Sequence, residues 1–475
     1  MATSLTVANL LPPANKGLAS IAALSSDAKA ALFTRTLSVV ALRVPHALCS
    51  KAIQLLPPHL LDIPRMRCIV SDGDSKDTKI VLLNNEVRLD SLPQTVVDFA
   101  TTHNLKVLDS FPVRLGYEYW TADQVIRSVI PDELPNVPSS FELIGHIAHM
   151  NLRNEYLPFK KIIGEIILEK NSYVRTVVNK TDSIDHTFRF FKMEVLAGDD
   201  DMLAELRESN CKFKFDFSRV YWNSCLQTEH NRIVSQFFSK NDTVCDVMAG
   251  VGPFSLPAAK NKQCTVYAND LNPESFKWLS ENIKINKLSH LIRAYNLDGR
   301  DFVRQSLIDF NLREIRAEMG ALTPAPTTDR VKKGGKKRSE LESASEKYEA
   351  APVALPRFFA FNHYVMNLPA NALEFLDVFY GLFHGKETVI PPASLPVIHS
   401  HCFSTDIGNL EGDVHKRAEL HLGCKIPVEN IIKIHRVRDV APRKEMLCIS
   451  FRLPAEAAYA KPRASAKRKC DDTFS

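Results

Sequence analysis

The stretch that decides the fold is DVMAGVGPF, residues 246–254, in which an apolar run ends in an acid and a glycine-containing turn. A second β-type run, residues 265–269, ends before Asp270, and a third, residues 358–366, ends before Asn367. Each run leads into a helical pattern. A strand that ends in a glycine turn and opens a helix lets backbone N–H groups approach a ligand closely. The sequence therefore predicts an α/β domain of Rossmann type with a nucleoside-cofactor site at three strand ends.

Two cofactors fit this pattern. Gly250 and Gly252, with Asp270 about twenty residues on, approximate the dinucleotide fingerprint, so NAD stays open. Two features favour S-adenosylmethionine instead: Asp246 suits the methionine ammonium and would repel a pyrophosphate, and Ser255 stands where the fingerprint has Gly or Ala. Asp270 is then placed to accept the ribose hydroxyls. The remaining alternative is an α/β core whose glycines serve only turns.

A further acid closes the next strand-like run. Asp298 follows residues 291–297, where it could hold an adenine amino group. This position completes the cofactor site that we predict.

Composition restricts the class of protein. The 475 residues exceed what one core usually covers, so two or three domains are expected. No apolar run reaches the length of a membrane span, so we predict no membrane partner. The ten cysteines are scattered without a C-x-x-C pair, which indicates a reducing compartment, no disulfide framework and no metal site.

The chain divides by composition into five parts. We predict an N-terminal extension (1–57), a small domain (58–110), an α+β domain (111–218), the nucleotide-binding domain (219–455) and a basic tail (456–475). Residues 318–350 mix Pro, Thr, Gly and Ser with the basic run RVKKGGKKR and contain almost no large apolar side chains. Such a segment cannot offset its ordering entropy, so we predict a disordered insertion.

The two ends of the chain suggest where the protein acts. Residues 1–44 contain a single acid, Asp27, and many hydroxyl side chains, a pattern found in mitochondrial presequences. The tail KPRASAKRK, residues 461–469, is basic; a solvated end is one interpretation, and nuclear import or RNA contact is the other. We predict the mitochondrial matrix, the nucleus and the cytoplasm.

Two charged residues in apolar surroundings are candidates for chemistry. Glu229 ends the segment VYWNSCLQTE, residues 220–229, where burial would raise the pKa of its carboxyl and make it a usable general base. Arg189 lies in FRFFKMEVLAG, where an arginine is costly unless it faces a ligand or a carboxylate. Alone, each is an ordinary surface charge. Together they suit a substrate that loses a proton while an oxyanion develops.

The whole chain, apart from the insertion and the tail, resembles a known family. The segments PPANKGL, FELIGHIAHMNLR, FRFFKMEVLAG, DVMAGVGPF, MNLPA and HRVRDVAPRKEMLCISF are similar to the eukaryotic and archaeal tRNA (guanine-37 N1)-methyltransferases. The resemblance implies methyl transfer from S-adenosylmethionine to N1 of the guanine 3′ of the anticodon, the step that opens wybutosine synthesis on phenylalanine tRNA. It also implies a tRNA partner and an N-terminal tRNA-recognition domain; we predict a monomer.

The resemblance also implies roles for individual residues. Glu229 matches the family's base, Arg189 the arginine beside the guanine oxygen, and Asn367 with Pro369 the motif near the methyl group. The cofactor contacts fall on His230, Asp270, Leu271, Asp298, Gly299 and Asn367. Where the family has Asn-Pro-Arg-Leu, the chain has Asn223, Ser224, Cys225 and Leu226, so Ser224 and Cys225 replace the family's Pro-Arg. The role of that arginine would fall to Arg219 or Arg232.

The chemistry of guanine agrees with these assignments. N1 carries a proton at neutral pH, so it is a poor nucleophile until a base removes that proton and a cation stabilises O6. A positioned base contributes about 10²–10⁴-fold. Two rivals remain: the related aminocarboxypropyl transferase of the wybutosine pathway, and a silent tRNA-binding protein. The NLPA segment at Asn367 favours methyl transfer, and the joint presence of Glu229, Arg189 and Asp246 favours an enzyme.

Overall fold

The chain folds into two compact units. The computed structural model describes residues 10–134, 136–184, 191–322 and 358–463. The first unit contains residues 10–182 and Lys192–Met202; the second runs from Leu203 onward and includes Ser183–Phe191. Of the predicted features, Arg189, the start of the chain to residue 9, residues 323–357 and the end of the basic tail lie outside the described residues.

In its described residues, the first unit contains two four-stranded sheets and five α-helices. Its strands are β1 Arg35–Pro45, β2 Ile69–Ser71, β3 Thr78–Leu82, β4 Lys106–Leu115, β5 Glu142–Ile144, β6 Ile147–Met150, β7 Thr176–Ile184 and β8 Phe191–Gly198. Its helices are α1 Ser26–Phe33, α2 Cys49–Leu55, α3 Gln94–Thr102, α4 Ala122–Val129 and α5 Lys160–Lys170. The sheet orders are β2-β3-β1-β4 and β5-β6-β7-β8.

One hydrophobic core runs through most of this unit. It joins side chains as far apart in sequence as Leu10, Phe33, Trp120 and Ile163, all at most 4% exposed. The predicted boundaries at residues 57 and 110 fall inside the unit, because β1 pairs with both β3 and β4. Residues 10–57 are therefore part of the folded unit and not an extension of it.

Polar contacts also hold the start of the chain on this unit. Lys16 Nζ donates to the carbonyl oxygens of Arg127 and Ile130 at 2.8 and 2.7 Å, at the end of α4. Glu165 Oε2 on α5 accepts from Ser20 Oγ at 2.7 Å and from the backbone N–H of Ile21 at 2.7 Å. Glu165 is 6% exposed, so this buried carboxylate fixes the turn before α1.

The second unit is built around a seven-stranded sheet. Its strands are β9 Leu203–Glu208, β10 Cys211–Asp216, β11 Thr243–Asp246, β12 Thr265–Asn269, β13 Ile292–Tyr295, β14 His363–Met366, β15 Val397–Ser404, β16 Ile431–Ala441 and β17 Lys444–Arg452. Its helices are α6 Gln227–Gln236, α7 Ser255–Lys262, α8 Pro273–Ile285, α9 Gly299–Leu322, α10 Leu410–Leu422 and α11 Ala455–Tyr459, with a 3₁₀ helix at Ala372–Phe379.

The order of this sheet confirms the predicted Rossmann-type fold. The strands lie in the order β13-β12-β11-β14-β15-β17-β16. The first five are parallel, and β17 is antiparallel to both of its neighbours. The chain order reverses between β11 and β14. A crevice at the carboxyl ends of the strands at this switch point is where such folds bind ligands.

The predicted boundary at residue 218 differs from the observed one because β9 and β10 belong to the second unit. Asn282 of α8 accepts from the backbone N–H of Lys214 at 2.8 Å, and Asn286 exchanges hydrogen bonds with the backbone of Lys212. These two amides hold β10 against α8.

The predicted insertion also begins later than residue 318. Helix α9 extends to Leu322, so its last turn occupies the first five residues assigned to the insertion. The chain is described again from Phe358 and enters β14 five residues later. In the part of the chain that the structure describes, no helix combines the length and the apolar character that a membrane span needs.

We predict that Glu165→Gln lowers the free energy of unfolding of the first unit by about 1–2 kcal/mol at neutral pH. Burial raises the pKa of Glu165, but hydrogen bonds from the Ser20 hydroxyl and from the backbone N–H groups of Ile21 and Ala22 outweigh this effect. The pKa of Glu165 therefore lies below its ordinary 4.5. This stabilisation is complete above the unfolded pKa and is lost as the pH falls through the lower folded pKa. Urea unfolding should therefore show a difference that shrinks below about pH 4.5. Glu133→Gln, at an exposed position, should change little; equal effects of the two substitutions would contradict the prediction.

Candidate active site

Three neighbouring parallel strands place polar residues at one edge of the second unit's sheet. Asp246 is the last residue of β11, Asp270 follows β12, and Asn367 follows β14. β11 pairs with both of the other strands, with Asp246 opposite Ala268 and Val365. The three predicted positions are therefore brought together at the switch point.

The loop after β11 depends on its two glycines. Gly250 has φ +56° and donates its backbone N–H to Asp270 Oδ2 at 2.9 Å. Gly252 has φ +101°, and a Cβ there would lie 2.0 Å from Leu256 Cδ1. A side chain at Gly252 is thus excluded both by the backbone and by the first turn of α7. At Gly250 a Cβ would meet nothing within 4 Å, so the loop leaves open space beside that residue.

Asp246 is completely buried and only half satisfied. Its Oδ2 accepts from Ser255 Oγ at 2.6 Å, whereas Oδ1 is buried and has no hydrogen-bond partner among the described residues. Burial raises the pKa of Asp246 to about 7; the hydrogen bond from Ser255 opposes this rise, and the nearby Asp270 adds to it. An unpaired buried carboxylate at a strand end is a strong site for a cation.

Asp270 braces the turn and keeps acceptor capacity. Its Oδ1 accepts from the backbone N–H of Asn272 at 2.9 Å, and Oδ2 accepts from Gly250. Burial raises the pKa of Asp270, and the two backbone hydrogen bonds oppose this rise. Each carboxylate oxygen can accept a second hydrogen bond, which a ribose hydroxyl can donate. The neighbouring Leu271 is 52% exposed and offers an apolar surface beside this carboxylate.

The predicted adenine end of the site lies at the start of α9. Asp298 is exposed and its Oδ1 accepts from the backbone N–H of Arg300 at 2.9 Å, so it caps the helix. At Gly299 a Cβ would lie 2.9 Å from the Phe375 ring and 3.2 Å from Val247 Cγ1. Gly299 is therefore needed for close packing of α9 on the loop after β11, residues 247–254, which we call the cofactor loop.

Asn367 supplies a second unsatisfied acceptor. Its Oδ1 is buried, and in the part of the chain that the structure describes it has no hydrogen-bond partner. Two residues on, the carbonyl oxygen of Pro369 accepts from the backbone N–H of Phe403 at 3.0 Å, which ties the turn to β15. Unsatisfied oxygens on Asp246 and Asn367, at adjacent strand ends, fit a ligand that carries an ammonium group. S-adenosylmethionine has such a group, and NAD has none.

Glu229 lies at the centre of a buried ionic cluster. It accepts from Arg232 through both oxygens, at 2.6 and 2.7 Å, and from His401 Nε2 at 2.8 Å. The side chain of Glu229 is 3% exposed, that of Arg232 is 8% exposed and that of His401 is 0% exposed. His435 Nε2 lies 3.7 Å from Glu229 Oε2 on the open side of the cluster.

The predicted direction of the Glu229 pKa shift was wrong. Burial does raise the pKa, but the hydrogen bonds from Arg232 and His401 outweigh it and hold the pKa at about 2. For His401, burial lowers the pKa, while the neighbouring Cys448 and Glu229 raise it to about 10. Arg232 and His401 therefore both favour the ionised form of Glu229.

The cluster is next to the cofactor loop. The ring of Phe254, at the end of that loop, lies 5.8 Å from the ring of His401 and 4.8 Å from that of His230. His230 is buried and hydrogen-bonded through Nδ1 to Glu208 Oε1 at 2.8 Å. His230 thus packs against the loop, as predicted for a residue near the cofactor, although its ring nitrogen is engaged by Glu208.

Sequence reasoning missed His401 and His435 as members of this cluster. Donor atoms of Glu229, His401 and Cys448 lie within 4.8 Å of one another, a spacing that would also suit a metal ion. The Arg232 guanidinium, however, already provides positive charge to both carboxylate oxygens. Arg232 therefore pairs with Glu229. Arg219 and Arg232 were the two candidates to replace the arginine that the family has at position 225, and Arg219 is the more exposed of the two.

A cavity of about 650 Å³ lies at the opposite edge of the sheet. It is lined by Asp242, Asn362 and His363 at the amino ends of β11 and β14, and by Arg452. None of the predicted site residues that the structure describes lines this cavity.

The fold and the site together define a Rossmann-type S-adenosylmethionine-dependent methyltransferase domain. Residues 204–316 match the TRM5/TYW2 methyltransferase domain, and residues 122–201 match the TYW2 N-terminal domain. The chain is 48% identical to a tRNA (guanine(37)-N(1))-methyltransferase of Batrachochytrium dendrobatidis, over 96% of this chain and 93% of that protein. It is 43% identical to that of Schizosaccharomyces pombe, over 91% and 94%. The chain belongs to the tRNA (guanine(37)-N(1))-methyltransferase family.

Solved structures show the same fold. Trm5b from Pyrococcus abyssi matches with a TM-score of 0.57 and 23% identity, over 87% of this chain and 99% of that chain. The complex of aTrm5 with tRNALeu matches with a TM-score of 0.58 and 20% identity, over the same shares. The predicted family and fold class are confirmed.

We predict that Asp246→Asn weakens S-adenosylmethionine binding at least about tenfold and removes its pH dependence. Because an ammonium group binds the carboxylate, the proton on Asp246 must leave, so wild-type affinity should fall as the pH falls below about 7. Calorimetric titration between about pH 6 and pH 8 measures both effects. The exposed Asp301→Asn should behave like the wild type; a variant at position 246 with the wild-type pH slope would contradict this role.

Proposed function

We propose that this protein transfers a methyl group from S-adenosylmethionine to N1 of guanosine 37 in tRNA. The observation that carries the proposal is near-full-length similarity to proteins of that name, 48% identity over 96% of the chain. The geometry supports it, because unsatisfied acceptors and a buried carboxylate cluster meet at one sheet edge. On phenylalanine tRNA the product would be the first intermediate of wybutosine synthesis.

The residues of the chain divide the work between binding and proton transfer. Bound S-adenosylmethionine supplies the methyl group. Asp246 and Asn367 present acceptors to the ammonium end, and Asp270 presents its carboxylate to the ribose. Glu229 supplies a fixed negative charge beside the place where a proton must leave. The role of Arg189 beside the guanine oxygen stays a prediction from the sequence.

Product analysis separates this activity from its rivals. Unmodified tRNA should be incubated with the protein and S-adenosylmethionine, digested, and analysed by mass spectrometry. 1-Methylguanosine at position 37 is the expected product. An aminocarboxypropyl nucleoside would assign the chain to the other wybutosine-pathway activity, and no modified nucleoside would support a binding protein.

We predict that Glu229→Gln lowers the single-turnover rate of methylation by at least about a hundredfold. Cofactor affinity should change little, because the carboxylate lies outside the strand-end acceptors. Glu281→Gln is the control: Glu281 is in an exposed pair with Lys284 on α8, and such pairs contribute little. A Glu229 variant with near-normal single-turnover chemistry would remove this residue from the reaction.

We also propose that the enzyme acts in mitochondria as well as in the nucleus and cytoplasm. The acid-poor start of the chain supports the first compartment, and the basic segment at residues 461–469 supports the second. Fusion of residues 1–45 to a fluorescent protein should direct it to mitochondria. A fusion in which Lys29 and Arg35 are replaced by glutamate is the control, and equal distribution of the two fusions would contradict the targeting role.

A further inference from the structure

Side chains with metal-binding atoms form a row across three neighbouring strands of the seven-stranded sheet. Cys448 of β17 lies directly opposite His401 of β15 and also directly opposite His435 of β16. Residues that are opposite each other on antiparallel strands point to the same face of the sheet. Glu229 of α6 lies against this face, because its oxygens are 2.8 Å from His401 Nε2 and 3.7 Å from His435 Nε2. Two imidazoles, a thiol and a carboxylate therefore meet at one place, and we call these four residues the donor set.

The distances within the donor set suit a single ion. Donor atoms of Glu229, His401 and Cys448 lie within 4.8 Å of one another. Two atoms that each lie about 2.0–2.3 Å from one ion are at most about 4.6 Å apart, so small side-chain movements bring the three into coordination. His435 is the fourth ligand. Its side chain is 32% exposed, whereas His401 and Cys448 are fully buried, so His435 lies on the side from which an ion can enter.

The buried members of the donor set can turn toward an ion at little cost. His401 Nδ1 is buried and has no hydrogen-bond partner in the part of the chain that the structure describes. Among those residues the ring is therefore held by its Nε2 bond to Glu229. The Cys448 thiol is 3.9 Å from Ser450 Oγ, a long contact even for sulfur. Coordination of an ion thus replaces one hydrogen bond, from His401 to Glu229, and one weak contact.

We propose that Glu229, His401, Cys448 and His435 form a binding site for Zn²⁺, and that an ion bound there inhibits the enzyme. Only the inhibitory part of this inference rests on the proposed methyl transfer. A thiolate and imidazoles are ligands that Zn²⁺ prefers, whereas Mg²⁺ prefers oxygen ligands. Together with one carboxylate oxygen they make the four ligands of a tetrahedral zinc site. The sequence predicted no metal site, because these residues come from segments far apart in the chain.

The ion enters in exchange for a proton. Cys448 binds as the thiolate, so the hydrogen of its thiol is released to solvent. Each imidazole coordinates through one nitrogen and keeps a hydrogen on the other. The Arg232 guanidinium stays paired with Glu229, because the ion replaces the hydrogen bond from His401 and not the two from Arg232. A Glu229 carboxylate that holds an ion as well as Arg232 cannot accept a proton, so methylation stops while the ion is bound.

The first test measures binding without reference to activity. Calorimetric titration with Zn²⁺ compares the wild type with Cys448→Ser and Cys402→Ser. Cys402 is the matched control, because both thiols are at most 1% exposed and Cys402, the residue after His401 on β15, points to the other face of the sheet. The affinity for Zn²⁺ should fall at least about tenfold in Cys448→Ser and stay unchanged in Cys402→Ser.

A second variant and a second readout separate loss of a ligand from loss of folding. His435→Gln changes a half-exposed side chain, so the fold should tolerate it, and Zn²⁺ affinity should again fall at least about tenfold. Co²⁺ in place of Zn²⁺ should give a thiolate-to-cobalt charge-transfer band in the wild type and in Cys402→Ser, and none in Cys448→Ser. Absence of this band from the wild type, or equal Zn²⁺ affinity in the wild type and His435→Gln, would overturn the inference.

Inhibition is measured as the single-turnover rate of each protein relative to its own rate without Zn²⁺. Wild-type methylation should fall in proportion to the bound fraction and recover when a chelator is added, whereas Mg²⁺ at the same concentration should have no effect. Methylation that continues at full Zn²⁺ occupancy would overturn the inhibitory role. If Zn²⁺ binds to the donor set but the metal-free protein forms no 1-methylguanosine, the metal site stands and the proposed function fails.

Discussion

The buried charge of Glu229 is the constraint on which the arrangement of the site depends. A carboxylate that is 3% exposed must be paired, and its partners come from its own helix and from β15. Arg232 lies one helical turn away, so α6 alone satisfies part of the charge. His401 completes it, which fixes α6 against the sheet beyond the switch point. Loss of either cation would remove a hydrogen-bonded partner from a buried carboxylate, so the position of the helix is strongly specified.

The same pairing explains why the cofactor loop and the ionic cluster form one site. His401 follows directly after Ser400, which is opposite Met366 at the end of β14. The turn that carries Asn367 therefore begins beside the strand that carries His401. Phe254 connects the cofactor loop to the cluster, because its ring contacts the rings of His401 and His230. A shift of α6 would therefore displace both the cofactor loop and Glu229.

Local patterns in the sequence predicted which residues lie at the carboxyl ends of the strands. They could not predict contacts between residues that are far apart in the sequence. Residues 265–269 were predicted as a strand and form β12 with the same bounds, because the strand-favouring run Thr265–Tyr267 leads into a strong turn signal after Asn269. Strand β16 was missed, since none of its residues is buried and its side chains show no alternation of buried and exposed positions.

Burial of Glu229 was anticipated from its apolar neighbours. Its partner His401 is 172 residues away, so the direction of the pKa shift could not be inferred. The contact between Ser20 and Glu165 spans 145 residues in the same way and could not be inferred either, which is why residues 1–57 were assigned to an extension.

Two buried carboxylates at one sheet edge now differ in a way that separates their roles. Glu229 has its cations within the fold, and its pKa is held at about 2. Asp246 accepts from Ser255 but has no cation hydrogen-bonded to it among the described residues, and burial raises its pKa to about 7. Environments that push two acids apart in this way identify different tasks for them. A carboxylate that already has cationic partners gains little from the ammonium group of a ligand. One that still needs a cation gains most when a ligand brings it, and we therefore propose that Asp246 links cofactor binding to the completion of the site.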